Sequence, residues 1–144
     1  MGASEIDEAT LEKQEQTFAR AFQAGDIALA RGLYHPEVVY RSPTVRLFDW
    51  PSRIEGLEKT LEFIQLTLAN CPNTSYRAVE KACLPDGSSA FARIHFDWDR
   101  DRTRLRSNYV VLYRYRDGRI LRQEIYYDPS GRPERLSRSA DDSR

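Results

Sequence analysis

The sequence predicts a single α+β domain, a conical α+β barrel. Three helices in the N-terminal half pack inside a strongly curved, mixed but mostly antiparallel sheet. Three observations carry this. Apolar residues recur at helical spacing in three segments before residue 70. Residues 88–128 form three consecutive β-runs separated only by tight turns, one of them Asp117-Gly118, a strong hairpin signal. The order of elements is α-α-β-α-β-β-β-β, with helices and strands segregated rather than alternating.

Residues 5–23 read as an amphipathic helix whose inner side is Ile6, Leu11, Phe18, Ala21 and Phe22, ended by Ala24-Gly25. Asp26 suits the N-cap of a second, short helix that turns Ile27, Ala30, Leu33 and Tyr34 inward. His35-Pro36 stops it, because the residue before a proline avoids the α region. Glu37–Ser42 is a short strand ended by Pro43. Residues 43–55 have no period, yet they carry Phe48 and Trp50, so they read as a loop folded over something apolar. Gly56 precedes a third helix over 57–69, with Leu57, Leu61, Ile64 and Leu68 at helical spacing. After a break at Cys71-Pro72-Asn73 comes a strand over 75–84, closed by Pro85-Asp86-Gly87. The meander follows as Ser88–Asp99, Thr103–Arg116 and Arg119–Asp128. Domain limits of 1–128 leave a polar tail at 129–144, expected to fray.

Strand register sets which side chains face the interior. A first turn at Arg100-Asp101 pairs Trp98 with Thr103, Phe96 with Leu105, Ile94 with Ser107 and Ala92 with Tyr109, all on one apolar face. His95 and Asp97 then lie on the other, polar face, opposite Arg106 and Arg104. That second face turns apolar at Phe91, Val110 and Leu112, which calls for cover by another subunit or other protein. An unbulged second hairpin sets Val111 against Glu124 and Tyr109 against Tyr126, with the carboxylate on the inner face. A bulge in the last strand reverses this and turns Gln123, Ile125 and Tyr127 inward. The unbulged register is the one expected.

Composition excludes several classes. The chain has 144 residues, with 22 basic and 22 acidic side chains, so no basic field recruits nucleic acid. No apolar run approaches the ~20 residues of a membrane span, and the acidic N-terminus is not a secretory signal. Cys71 and Cys83 match no metal or redox motif and suit free thiols in a cytoplasmic protein. With two histidines, a multi-histidine metal site is not expected. The sequence has no G-x-S-x-G, phosphate-cradling glycine loop or H-E-x-x-H, so no nucleotide, metal or other cofactor is expected.

Several segments share a pattern: Phe22-Gln23-Ala24-Gly25-Asp26, Tyr34-His35-Pro36-Glu37-Val38-Val39, Gly56 before the third helix, and Asp117-Gly118-Arg119-Ile120 leading to Tyr126-Tyr127-Asp128. In this order, over about residues 10–128, the chain resembles the nuclear-transport-factor-2-like superfamily, which includes ketosteroid isomerases and SnoaL-like polyketide cyclases. The resemblance implies a conical pocket, frequent dimerisation through the sheet, and no common chemistry. The position of the isomerases' general-base aspartate holds Ser42 before Pro43. The position of their oxyanion-donor tyrosine holds Phe18, and that of their protonated aspartate falls near Val111. None supplies the required group, which argues against the steroid-isomerase mechanism. Tyr40-Arg41-Ser42 also resembles a short segment of scytalone dehydratase, whose matching tyrosine positions a catalytic water.

Glu124 is the first candidate general acid or base, since an aromatic wall would disfavour its charged form. Tyr109 and Tyr126 are candidate donors to an oxyanion. Tyr40, sharing a face with Val38, points inward to ligand or core, and Arg41 beside it suits a substrate carboxylate or a surface acid. His95 with Asp97 has the form of a base and its orienter, but a polar cross-strand ladder is the plainer reading. For Glu124 the plainer reading is a salt bridge to Arg122 or an outward position. Ile94, Phe96, Trp98 and Val111 form the expected substrate wall, joined by Phe63 and by Trp50, which with Phe48 suits a lid or a dimer contact. The expected function is a small-molecule-binding domain that acts as a cofactor-independent isomerase, cyclase or dehydratase on an apolar or aromatic metabolite. The alternative is a non-catalytic ligand-binding or dimerisation domain. Expected partners are that small molecule and a second copy of the chain.

Overall fold

A computed structural model describes residues 6–130 and 132–136. Helix α1 runs Glu8–Ala24. It starts where Asp7 Oδ1 accepts the Thr10 backbone N–H at 2.8 Å and ends where Gly25 takes the left-handed conformation at φ 68°. A 3-10 helix at Ile27–Leu33 follows, capped by Asp26 through the Ala28 N–H. Strand β1 is Tyr34–Arg41, a second 3-10 helix is Pro43–Phe48, and β2 is Ile54–Glu55. Helix α2 spans Leu57–Ala69. The remaining strands are β3 Ser75–Cys83, β4 Ser89–Arg100, β5 Thr103–Arg116, β6 Arg119–Tyr127 and β7 Glu134–Arg135.

The sheet runs in the order β2-β1-β6-β5-β4-β3, with β7 added to β5 beyond the end of β6. Strand β1 is parallel to β6, and every other pairing is antiparallel. The sheet curls without closing and wraps the two α-helices, as in a nuclear-transport-factor-2-like cone. The core lies between them: Leu11, Phe18 and Ala21 from α1, Phe63 and Ile64 from α2, and Ala92, Ile94, Val111, Tyr113 and Ile120 from the sheet.

Several expectations need correction. The second helix stops a residue early, so Tyr34 begins β1 instead of ending a helix, and β1 passes through His35 and Pro36. The segment 43–55 is not structureless, because Ser42 caps a 3-10 turn with Pro43 at its first position, where a missing N–H costs nothing. The first hairpin turns at Asp101 and Arg102, both at positive φ (51° and 68°), rather than one residue earlier. That shift of two in pairing keeps every side chain on its expected face but changes its partner. Trp98 meets Leu105, Ile94 meets Tyr109, and two charge pairs form across the strands, Asp97 with Arg106 and Asp99 with Arg104.

A further correction concerns the last strand. Asp117 and Gly118 make the expected turn, and Tyr115 pairs with Ile120. The next pair is Arg114 with Arg122, so Leu121 is an extra residue, a β-bulge. Beyond it Tyr113 meets Gln123, Val111 meets Ile125 and Tyr109 meets Tyr127. Arg122, Glu124 and Tyr126 therefore face out. The unbulged register would have buried Arg122 and Glu124, two charges whose desolvation outweighs one irregular ladder step. Part of the expected tail is also ordered into the sheet, since Glu134 and Arg135 pair with Arg106 and Leu105. Residues 131 and 137–144 of that tail lie outside the described residues.

Candidate functional site

The concave side of the sheet holds two adjoining spaces. A mouth cavity of about 260 Å³ has Phe48, Phe96, Trp98 and Tyr127 as its aromatic wall. Thr44, Thr67, Phe96 and Tyr127 also line a narrower inner space of about 50 Å³ that reaches Tyr40, Tyr109 and Gln123. Each element contributes for a local reason. Ser42 starts the 3-10 turn that presents Thr44. The last turn of α2 presents Thr67 and the chain just beyond it Cys71. Alternation along β4 turns both Phe96 and Trp98 to the same side. The bulge at Leu121 brings Gln123, Ile125 and Tyr127 round to this face.

Burial favours the neutral form of the phenols and the thiol of this wall. It raises the Tyr40 and Tyr109 phenols well above the ordinary tyrosine range, and it pushes Tyr127 up to about 12 and the Cys71 thiol up to about 11. At neutral pH these are hydrogen-bonding groups without charge. The Tyr34 hydroxyl donates to Gln123 Oε1 at 2.7 Å, which fixes the amide at the inner end. At the mouth Trp98 Nε1 donates to Ser107 Oγ at 3.2 Å, and the Arg100 guanidinium lies 5.6 Å from the centre of the Trp98 rings. Asp128 is the one carboxylate among the described lining residues of the two spaces. Its Oδ1 accepts from the Ser130 N–H at 2.9 Å and from Ser130 Oγ at 2.6 Å.

Behind the wall lies a buried carboxyl that the sequence reading passed over. Glu15 accepts hydrogen bonds from Tyr76 at 2.5 Å, Tyr113 at 2.8 Å and Gln14 Nε2 at 2.8 Å. Gln14 in turn accepts from the Tyr115 hydroxyl at 2.8 Å. Burial raises the Glu15 carboxyl above its ordinary value, and the three donors oppose that rise. The sequence does hold a signal. Gln14 and Glu15 occupy the positions between Leu11 and Phe18 where the apolar stripe of α1 ought to continue.

The expected site residues divide into two groups. Tyr40, Phe96, Tyr109 and Val111 line the inner space, and Phe96 and Trp98 line the mouth. Ile94 and Phe63 are core residues that line neither. Trp50 packs on Phe63, with ring centres 5.2 Å apart, and borders a separate surface hollow beside β2. Phe48 reaches the mouth and Trp50 does not, so the pair does not form one lid. Glu124 stands on the outer sheet face, bonded by the Tyr126 hydroxyl at 3.1 Å and 3.7 Å from Arg122. Tyr126, with 53% of its surface exposed, is outside as well. His95 is also on the outer face, and Asp97 is held bidentately by Arg106 at 2.8 and 3.0 Å instead of orienting it. Desolvation, then Arg106, Arg93 and Arg77, lower the His95 pKa. Among the described residues no group of three His, Cys, Asp or Glu side chains converges as a metal site would require, and no helix is long and apolar enough to cross a membrane.

Residues 15–123 match the family model described as SnoaL-like domain. Solved structures with the same fold include TsrD from Streptomyces laurentii, at 18% identity and TM-score 0.71, covering 88% of this chain and 94% of that one. The epoxide hydrolase/cyclase-like enzyme SalBIII of pyran ring formation in salinomycin aligns at 16% identity and TM-score 0.68, covering 86% and 95%. An LEH-like epoxide hydrolase of M. tuberculosis aligns at 16% identity and TM-score 0.63, covering 83% and 84%. At these identities the likeness is one of fold. No curated protein matches the chain.

Proposed function

The chain belongs to the SnoaL-like domain family, and from that premise we propose that it binds a small, largely apolar or aromatic molecule at the mouth of the cone. The observation that carries this is the mouth cavity itself. Four aromatic rings face about 260 Å³ of space that continues inward to neutral phenol and amide groups. With the inner space it comes to the lower end of the ~300–1,000 Å³ of ordinary ligand sites. A planar molecule entering it would stack on Trp98 and meet uncharged hydrogen-bonding partners at Tyr127, Tyr40 and Gln123. The test is titration with 2-naphthol, followed by quenching of tryptophan fluorescence. Saturable quenching is expected, and Thr67→Phe, which fills the space shared by the two cavities, is expected to abolish it while the thermal midpoint holds. Equal affinity in the filled variant would refute the site.

A second reading, proton transfer by a cofactor-independent isomerase, cyclase or dehydratase, is favoured by Asp128. Its carboxylate borders the same cavity as the Tyr127 phenol. Such an enzyme would use Asp128 as base and a neutral phenol as donor to the developing oxyanion. SalBIII and the M. tuberculosis hydrolase, by their names, act on epoxides or form rings on this fold. Protein-dependent exchange of the α-protons of 1-tetralone in D₂O, lost in Asp128→Asn, would support it. Absence of exchange above buffer leaves the binding reading alone. In either case two copies would pair through the outer sheet face, where Phe91, Leu112 and Tyr126 are exposed. Sedimentation equilibrium of the protein and of Leu112→Glu tests that pairing.

A further inference from the structure

The mouth cavity is apolar in its wall but not at its rim. Two guanidiniums, Arg100 at the end of β4 and Arg132 just before β7, line it. Among the described residues neither has a carboxylate within ion-pair distance, whereas the outer-face arginines Arg93, Arg104 and Arg106 are all paired. Arg100 is held over the Trp98 rings, so its charge is set beside the aromatic wall rather than free to sweep through solvent. Arg132 is placed by its backbone, whose N–H donates to Ser130 Oγ at 3.2 Å, and by the pairing of β7 with β5. Opposing them is one carboxylate, Asp128, whose Oδ1 already accepts two hydrogen bonds from Ser130. A flat apolar slot edged by two cations without an acidic partner among the described residues fits a ligand with an aromatic body and an anionic end.

Resting on the proposed binding at the mouth, we infer that the ligand class is a planar aromatic carboxylate. Its ring system lies along Phe96 and Trp98, and its carboxylate meets Arg100 and Arg132. Guanidinium matches a carboxylate in planar, two-point geometry, which Lys would not. The segment carrying Arg132 and Pro133 is therefore part of the site, not an appendage of the domain.

The test compares 2-naphthoate with 2-naphthamide, which has nearly the same shape and no charge, by calorimetry at pH 7.5. For the native protein 2-naphthoate is expected to bind about 10-fold more tightly, and the advantage should shrink at 0.5 M salt. Arg100→Gln and Arg132→Gln are each expected to weaken 2-naphthoate about 3-fold and to leave 2-naphthamide unchanged, the scale of a solvent-accessible ion pair. Arg116→Gln, at the far end of β5, should change neither. Equal affinities for the two probes, or equal losses of both in the arginine variants, would overturn the carboxylate assignment and leave the binding site standing. Binding of neither probe would overturn the site and the assignment with it.

Discussion

Replacing Tyr76 by Phe should destabilise the fold, by about 1.5–3 kcal/mol where Glu15 is ionised and by less where it is protonated. The hydroxyl it removes donates to Glu15 Oε1 at 2.5 Å, and both side chains are buried, Tyr76 to 5% exposure and Glu15 to 4%. The ring remains, so packing against Phe18 and Phe22 is kept. What is lost is a hydrogen bond to a buried carboxyl, a contact of about 1.5–3 kcal/mol where that carboxyl carries its charge and less where it is protonated. The pH dependence follows from burial. The Glu15 carboxyl is raised in the fold, so the folded state holds its proton more tightly than the unfolded chain does. Its contribution to stability is fullest below the ordinary glutamate value and declines as pH rises through the raised one. Removing Tyr76 takes away a donor that lowers that raised value. The variant therefore loses further stability as pH climbs, and little near pH 4.5. Urea unfolding of the native protein, Tyr76→Phe, Tyr113→Phe and the double variant, at pH 4.5 and pH 8, measures this directly. A cost under about 0.5 kcal/mol at pH 8, or the same cost at both pH values, would refute a buried carboxylate held by phenols.

Gly118→Ala is expected to cost about 1–2 kcal/mol by thermal unfolding, because Gly118 sits at φ 75° while nothing lies within 4 Å of an added Cβ, so the penalty is the backbone's alone. Glu124→Gln should leave 2-naphthol affinity and any 1-tetralone exchange within about 2-fold of native, since the side chain lies on the opposite face of the sheet; a larger loss would mean that it reaches the mouth. Cys71 should alkylate slowly with iodoacetamide at pH 7 and faster with each step toward its raised value of about 11, read by mass spectrometry of the native protein; fast modification at pH 7 would show a thiol less buried than described.

The fold was legible because its signals are local and repeated. The period of Leu57, Leu61, Ile64 and Leu68 gives α2 to the residue, and Asp117-Gly118 gives the last hairpin, since few sequences tolerate two consecutive positive φ values. The face of Ile94, Phe96 and Trp98 was legible too, because a register error of two residues leaves the faces unchanged. Partners were not, as Asp97 illustrates. Its choice of Arg106 over Arg104 depends on which two of four charged residues form the turn, and Asp-Arg-Asp-Arg reads almost alike in either frame. The 3-10 turn at Pro43–Phe48 has too few residues for a period to show. The Glu15 cluster required noticing a polar pair in an apolar stripe and then supplying its partners from β3 and β5, 61 and 98 residues away.

The bulge at Leu121 joins these errors to the character of the site. In an unbulged β6 the inward set is Arg122, Glu124 and Tyr126, and in the bulged strand it is Gln123, Ile125 and Tyr127. Weighing the two sets by what each buries would have favoured the bulge, because a charge that loses water without a close partner costs several times more than one disrupted ladder pair. The same comparison explains why the inner wall is neutral. The residue brought opposite Tyr113 is an amide, Gln123, which can take the Tyr34 hydroxyl without carrying a charge into the cone. The charged groups that remain near the cavity, Asp128, Arg100 and Arg132, sit at its rim, where water still reaches them. The proposed recognition of charge, and any proposed movement of a proton, would therefore take place at the mouth. Glu15, buried behind Tyr76 and bonded by its phenols, serves the stability of the fold instead.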